Sequence, residues 1–332
     1  MQGIVISERK TEDKTMKTNG GYLSLIDCLK TDMLRPLRLV DEAIADDAQE
    51  IRLYAGRPVM ILCRDRAYFP DSGGKTGRIP PEDCLTLSGR ELQSVFSMLC
   101  DYSVFSFQNE IKEGYITLKS GHRAGICGTA VTENGGIRTI REISSINLRI
   151  AKQVYGCADG LIGLLRSDFD SLILAGPPGC GKTTILRDAV RQLCSGALGR
   201  YVRTGVVDER CEIASCANAE PGFDMGISCD ILSGYPKHIG IEHAVRSLSS
   251  EIVVCDEICS AEEVSAIEQG MNSGAKFIVT AHAGSLRELK IRPVVRRLIG
   301  TGVFKRIVLL KSRATPGETA AIYSVDDVGG II

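Results

Sequence analysis

Gly176-Pro177-Pro178-Gly179-Cys180-Gly181-Lys182-Thr183, followed by Thr184, spells a full G-x-x-x-x-G-K-T. Those residue types at that spacing suit a nucleoside triphosphate. The glycines leave backbone N–H groups free to curl around phosphate oxygens, where a Cβ would block the approach, and the positive end of the following helix points at the same place. Lys182 adds a point charge between the β- and γ-phosphates, and the Thr183 hydroxyl is suited to ligating magnesium. Hydrolysis also needs carboxylates. Glu251-Ile252-Val253-Val254-Cys255-Asp256-Glu257 is an apolar strand ending in two of them. Asp256 is expected to hold magnesium through water, and Glu257 to orient or deprotonate the attacking water. Gly205-Val206-Val207-Asp208-Glu209 ends in the same way, so the choice between Glu257 and Glu209 as principal base stays open. Thr280 and His282 end a third apolar strand and are expected near the γ-phosphate, because doubly wound sheets bind ligands at the carboxyl ends of their strands.

A sheet buried on both faces must carry these groups. SLILA (171–175), GVV (205–207), EIVVC (251–255), KFIVTA (276–281) and FKRIVLLK (304–311) are near-continuous apolar runs, which mark a mostly parallel, doubly wound core. Ile185, Leu186, Ala189, Val190 and Leu193 repeat at helical spacing after the P-loop. Ser260 and Glu263 cap a helix that Gly274 ends, and AAIYSV (320–325) reads as a closing hairpin strand. The expected fold class is α/β: a RecA-like P-loop NTPase domain over residues 156–332, preceded by a smaller α+β domain over 22–155 and a flexible leader over 1–21. In the α+β part, EIRLY (50–54) and VMILC (59–63) form a hairpin, and Ser88 with Glu91 starts a helix through a capping box. GYITLKSG, RAGICGTAV and ISSINLRIA follow as antiparallel strands.

The 332 residues carry 40 Lys plus Arg against 41 Asp plus Glu, so there is no overall attraction to a polyanion. No apolar run approaches the roughly 18–20 residues of a membrane span, and residues 1–20 lack the apolar core of a signal peptide. Thirteen cysteines without a CxxC pair fit free thiols in a reducing cytoplasm. Zinc at Cys211, Cys216 and Cys229, or at Cys255 and Cys259, lacks the paired start of a tetrahedral site.

Over about residues 40–325 these features together resemble the type II/type IV secretion ATPase superfamily, and within it the stage III sporulation protein AA family. The P-loop is the generic part. More specific in combination are VVDER (206–210), Arg246 ahead of EIVVCDEI (251–258), GAKFIVTAHAGS (274–285), and the upstream GHRAGICGTAV (121–131) and SSINLRIA (144–151). The resemblance implies a homo-oligomeric ATPase motor, a hexamer, using ATP and Mg2+. In the superfamily the histidine box is thought to couple nucleotide state to domain motion, which maps onto His282. Arginines of the N-terminal domain cap the nucleotide there, which maps onto Arg123, Arg141 and Arg149, with Arg149 the first choice. The resemblance further implies a cytoplasmic protein of a spore-forming bacterium. It would act in the mother cell at the channel to the forespore, docked on a membrane-embedded channel or secretion component. Many secretion ATPases carry Gly-Glu on the magnesium strand, whereas this chain has Asp256-Glu257, which favours ordinary P-loop metal binding.

Three other readings share the P-loop. A small-molecule kinase would carry an arginine-rich lid, for which only RELKIRPVVRRLIG (287–300) is available. A nucleic-acid-associated ATPase is disfavoured by the net charge and by 5% aromatic residues. A nucleotide-gated scaffold with little turnover is the third.

Overall fold

The computed structural model describes residues 18–19 and 21–325, apart from 65, 119–120, 134 and 217–219. Most of the expected leader lies outside the described residues. Within it, β1 (Thr18–Asn19) is already strand, and α1 (Gly21–Cys28) follows at once. A 3-10 helix (Asp32–Leu39) and α2 (Glu42–Asp47) lead to β2 (Glu50–Tyr54), β3 (Arg57–Leu62), β4 (Ala67–Pro70) and β5 (Thr76–Gly77). Next is α3 (Gly89–Leu99), whose capping box forms: the Ser88 hydroxyl accepts from the Glu91 N–H, and the Ser88 N–H donates to the Glu91 carboxylate. Then come α4 (Gln108–Lys112), β6 (Tyr115–Thr117), β7 (Arg123–Glu133), β8 (Gly136–Arg149) and β9 (Gln153–Val154). The first seven-stranded sheet runs β5-β4-β3-β2-β8-β7-β6 with every neighbouring pair antiparallel, and β1 pairs antiparallel with β9. Leu92, Val95 and Phe96 of α3 join Ile51, Leu53, Ile146 and Leu148 in one core, as the spacing of three and four in the helix and two in the strands requires.

The second half is α5 (Asp159–Ser167), β10 (Ser171–Gly176), α6 (Lys182–Cys194), β11 (Thr204–Asp208), β12 (Cys229–Ser233), α7 (Lys237–Arg246) and β13 (Ile252–Cys255). It continues with α8 (Ala261–Asn272), β14 (Lys276–His282), α9 (Leu286–Ile291), α10 (Pro293–Gly300), β15 (Phe304–Leu310) and β16 (Thr319–Ser324). The sheet order is β12-β11-β13-β14-β10-β15-β16, parallel throughout except for the last pair. Successive strand residues enter two different cores. Ile173, Val207, Val253 and Phe277 pack against α7, α8 and α10, while Leu172, Val206, Val254 and Ile278 pack against α5 and α6. Burial on both faces is why these strands read as unbroken apolar runs. Edge strand β12 has no such run, because only Leu232 of its five residues is buried.

Register brings the chemistry to one edge. Gly176 lies opposite His282, Val207 opposite Cys255, and Cys255 opposite Val279. The residues that follow, from the P-loop, Asp208-Glu209 and Asp256-Glu257, therefore leave the sheet side by side with Thr280 and His282.

Candidate active site

At that edge is a cleft of about 430 Å³. It is lined by Pro178, Gly179, Gly181, Lys182, Thr183 and Thr184, by Asp256, Glu257 and His282, and by Arg149 from the antiparallel sheet. The P-loop turns through Gly179 and Gly181, with φ of +75° and +94°. Side chains with a Cβ rarely adopt that conformation, so the loop's shape depends on glycine at both places. Gly181 caps α6, and Lys182 is that helix's first residue.

Lys182 is folded inward. Its Nζ donates to the carbonyls of Gly176 (2.9 Å) and Pro177 (3.0 Å) and lies 3.1 Å from His282 Nδ1. Burial pulls its pKa below the usual lysine range. An ammonium can only donate, so Nδ1 is the acceptor and the ring proton sits on Nε2, 3.2 Å from Glu257 Oε2. Lys182, His282 and Glu257 thus form one chain of contacts. Asp256 is fixed by the Thr280 hydroxyl and the Glu257 N–H (2.9 Å), while its Oδ2 accepts from the Thr183 hydroxyl at 3.4 Å. Thr183 and Asp256 are therefore adjacent oxygen donors beside the phosphate cradle. Magnesium is characteristically held by one or two protein oxygens plus substrate phosphates and water, so this donor set fits it. Among the described residues no group of three or more His, Cys, Asp or Glu is placed to hold a metal ion.

The second acidic strand end divides its labour differently from the first. Asp208 is buried, and its carboxylate accepts from the backbone N–H groups of Glu212 (2.8 Å), Ile213 (3.1 Å) and Ala214 (2.8 Å). It anchors the loop and is not a free magnesium ligand, although the motif alone puts it on a par with Asp256. Arg187 of α6 clamps the same loop by donating to the carbonyls of Ile213 (2.7 Å) and Glu212 (2.8 Å), and lies over the Phe223 ring. Burial pushes its pKa down to about 10. Glu209 is left at the cleft, 3.7 Å from Lys237 Nζ.

Of the candidate arginines, Arg149 lines the cleft, as does Arg210 at the end of the VVDER segment. Arg123 sits beside it, donating to the Arg210 carbonyl (3.4 Å) and lying over the Tyr115 ring. Arg141 is on the exposed part of β8 opposite Thr129, and Arg246 contacts Glu242 and Gln269; neither lines the cleft. Lys237, at the start of α7, does line it. Nothing in the linear sequence marks that residue, because its place depends on how α7 packs across β11 and β13.

The family described as "Sporulation stage III, protein AA" matches residues 25–329. The stage III sporulation protein AA of Bacillus subtilis (strain 168) is 33% identical over 304 residues, which is 91% of this chain and 95% of that protein. Among solved structures, the pilus retraction motor PilT with bound ADP aligns with a TM-score of 0.51 at 15% identity, over 81% of this chain and 76% of that one. The last likeness is one of fold: an antiparallel N-terminal sheet followed by a mostly parallel P-loop sheet.

Proposed function

The chain belongs to the Sporulation stage III, protein AA family, and on that premise we propose that it is a magnesium-dependent ATPase of the secretion-motor type. The observation that carries this reading is the convergence of Lys182, Thr183, Asp256, Glu257 and His282 at the carboxyl edge of one parallel sheet. The P-loop amides and Lys182 hold the phosphates, the latter after leaving the Gly176 and Pro177 carbonyls. Thr183 and Asp256 would hold magnesium, which would supply neutralisation of phosphate charge. Glu257 orients the attacking water and takes its proton, and His282, between Lys182 and Glu257, carries phosphate occupancy to the base. Arg149 reaches the cleft from the other sheet and supplies the further positive charge that phosphoryl transfer uses. The working form is a homo-oligomeric ring, a hexamer. The ring works from the cytoplasm of the mother cell, docked on a membrane-embedded channel component that leads to the forespore; no described helix is long and apolar enough to cross a membrane.

Steady-state turnover with magnesium and ATP tests the reading. Lys182→Ala removes the only cationic side chain of the P-loop and should cut turnover by about 10²–10³-fold. Glu257→Gln should keep ATP binding and slow hydrolysis by about 10²–10⁴-fold. Unchanged turnover in Lys182→Ala refutes the site. One turnover without a second points to a nucleotide-gated scaffold, stimulation by DNA or RNA points to a nucleic-acid motor, and a monomeric mass with every nucleotide removes the ring.

A further inference from the structure

Among the described residues two ammonium groups line the cleft, and only Lys182 belongs to the P-loop. The other, Lys237, is 6% exposed and enters from the first turn of α7. Its Nζ donates to the Glu257 carbonyl at 2.5 Å and stands 3.7 Å from Glu209 Oε2. A buried ammonium is costly without partners, and a helix N-terminus is electrostatically the wrong end for a cation. The two partners that offset this cost are the ends of β11 and β13, which carry the two rival bases.

The consequences differ for the two glutamates. Glu257 is held at each of its polar groups. Its N–H donates to Asp256 Oδ1 (2.9 Å) and Thr280 Oγ1 (3.0 Å), its carboxylate faces His282 Nε2, and its carbonyl accepts from Lys237. Glu209 is 38% exposed, and among the described residues Lys237 is its ion-pair partner. Released, its carboxylate would be free to turn into a cleft built for phosphates. We propose that Lys237 is a positioning residue that keeps Glu209 out of the reaction and fixes the backbone from which Glu257 acts, an inference that rests on the ATPase reading above.

The test uses the full chain, with turnover, affinity for ADP, affinity for a non-hydrolysable ATP analogue, and thermal unfolding. Lys237→Met should lower turnover by about 10–100-fold, the scale of a catalytic group displaced by about an ångström, while ADP affinity changes little. Preference for the ATP analogue over ADP should fall severalfold, because the freed Glu209 carboxylate repels the γ-phosphate. Adding Glu209→Gln to Lys237→Met should restore much of that preference and part of the turnover. If Lys237→Met does not fold, Lys237→Gln removes the charge with an amide that still donates hydrogen bonds. Wild-type turnover in the Lys237 variant overturns the proposal, as does an equal loss of ADP affinity and turnover. It also fails if Glu209→Gln alone costs as much as Glu257→Gln. An inactive wild type overturns the ATPase reading and this inference with it, whereas an active wild type indifferent to Lys237 overturns the inference alone.

Discussion

Asp208→Asn should be among the most destabilising single-atom changes in the parallel sheet. The native carboxylate is 2% exposed and has both oxygens engaged: Oδ1 accepts from Glu212 N–H (2.8 Å), Oδ2 from Ala214 N–H (2.8 Å), and both from Ile213 N–H (3.1 Å each). An asparagine keeps one acceptor and turns an NH2 toward donors that cannot accept from it. At least one charge-assisted bond, worth about 1.5–3 kcal/mol, is lost, and the buried N–H left behind costs about 1–3 kcal/mol more. The buried Arg187 also loses the attraction of the Asp208 charge. The expected loss is about 3–5 kcal/mol, a large part of the roughly 5–15 kcal/mol that holds a domain folded. Urea unfolding followed by far-UV circular dichroism measures it, since the chain has no Trp to report by fluorescence. Glu209→Gln is the internal comparison: one residue on and 38% exposed, it should cost clearly less than Asp208→Asn, though more than a fully exposed pair because its partner Lys237 is buried. Nucleotide affinity should fall with Asp208→Asn, because the loop it anchors carries Glu209, Arg210 and Glu212 to the cleft. A loss below about 1 kcal/mol would refute the reasoning, for the three amides would then have other partners.

His282→Ala should leave nucleotide affinity nearly intact, because Lys182 keeps the Gly176 and Pro177 carbonyls and its route to phosphate. It should flatten the dependence of turnover on protein concentration, and a complete loss of ATP binding in a fluorescence titration would contradict the coupling role. His122 is buried, its Nδ1 accepts from the Ala151 N–H at 3.0 Å, its Nε2 has no partner among the described residues, and burial pushes its pKa down to about 4. Above pH 6.5 the ring is neutral folded or unfolded and its contribution is fully present. As pH falls from about 6.5 to about 4 the unfolded chain takes the proton first, and up to about 3 kcal/mol is lost. His122→Gln should remove that part of the slope, so a constant difference between wild-type and variant melting temperatures from pH 4 to 7 would sink it.

Short-range physics made much of this protein legible in its sequence. Capping boxes at Ser88 and Ser260, a glycine-bounded P-loop between an apolar strand and an amphipathic helix, and strand ends in Asp256-Glu257 are all settled within a dozen residues. The apolar runs announced a sheet buried on both faces. Strands without such a run stayed silent: β4, β5 and the half-exposed edge β12 show neither clean alternation nor continuity. Asp208-Glu209 and Asp256-Glu257 are the same dipeptide at the end of the same kind of strand, so no local rule could separate an anchoring aspartate from one set beside Thr183 of the P-loop. Only the fold of residues 212–214 back over β11 did that, by aiming three amides at one carboxylate. Arg149 and Arg141 likewise lie on one strand eight positions apart, and the path of β8 sets one at the cleft and the other at an exposed ribbon. Lys237 reaches Glu257 across twenty positions because α7 packs along the face of β11 and β13 with its first turn at their carboxyl ends. Contacts of that separation depend on strand order and helix packing, which are decided by which faces can be buried together and not by any residue's neighbours in the chain.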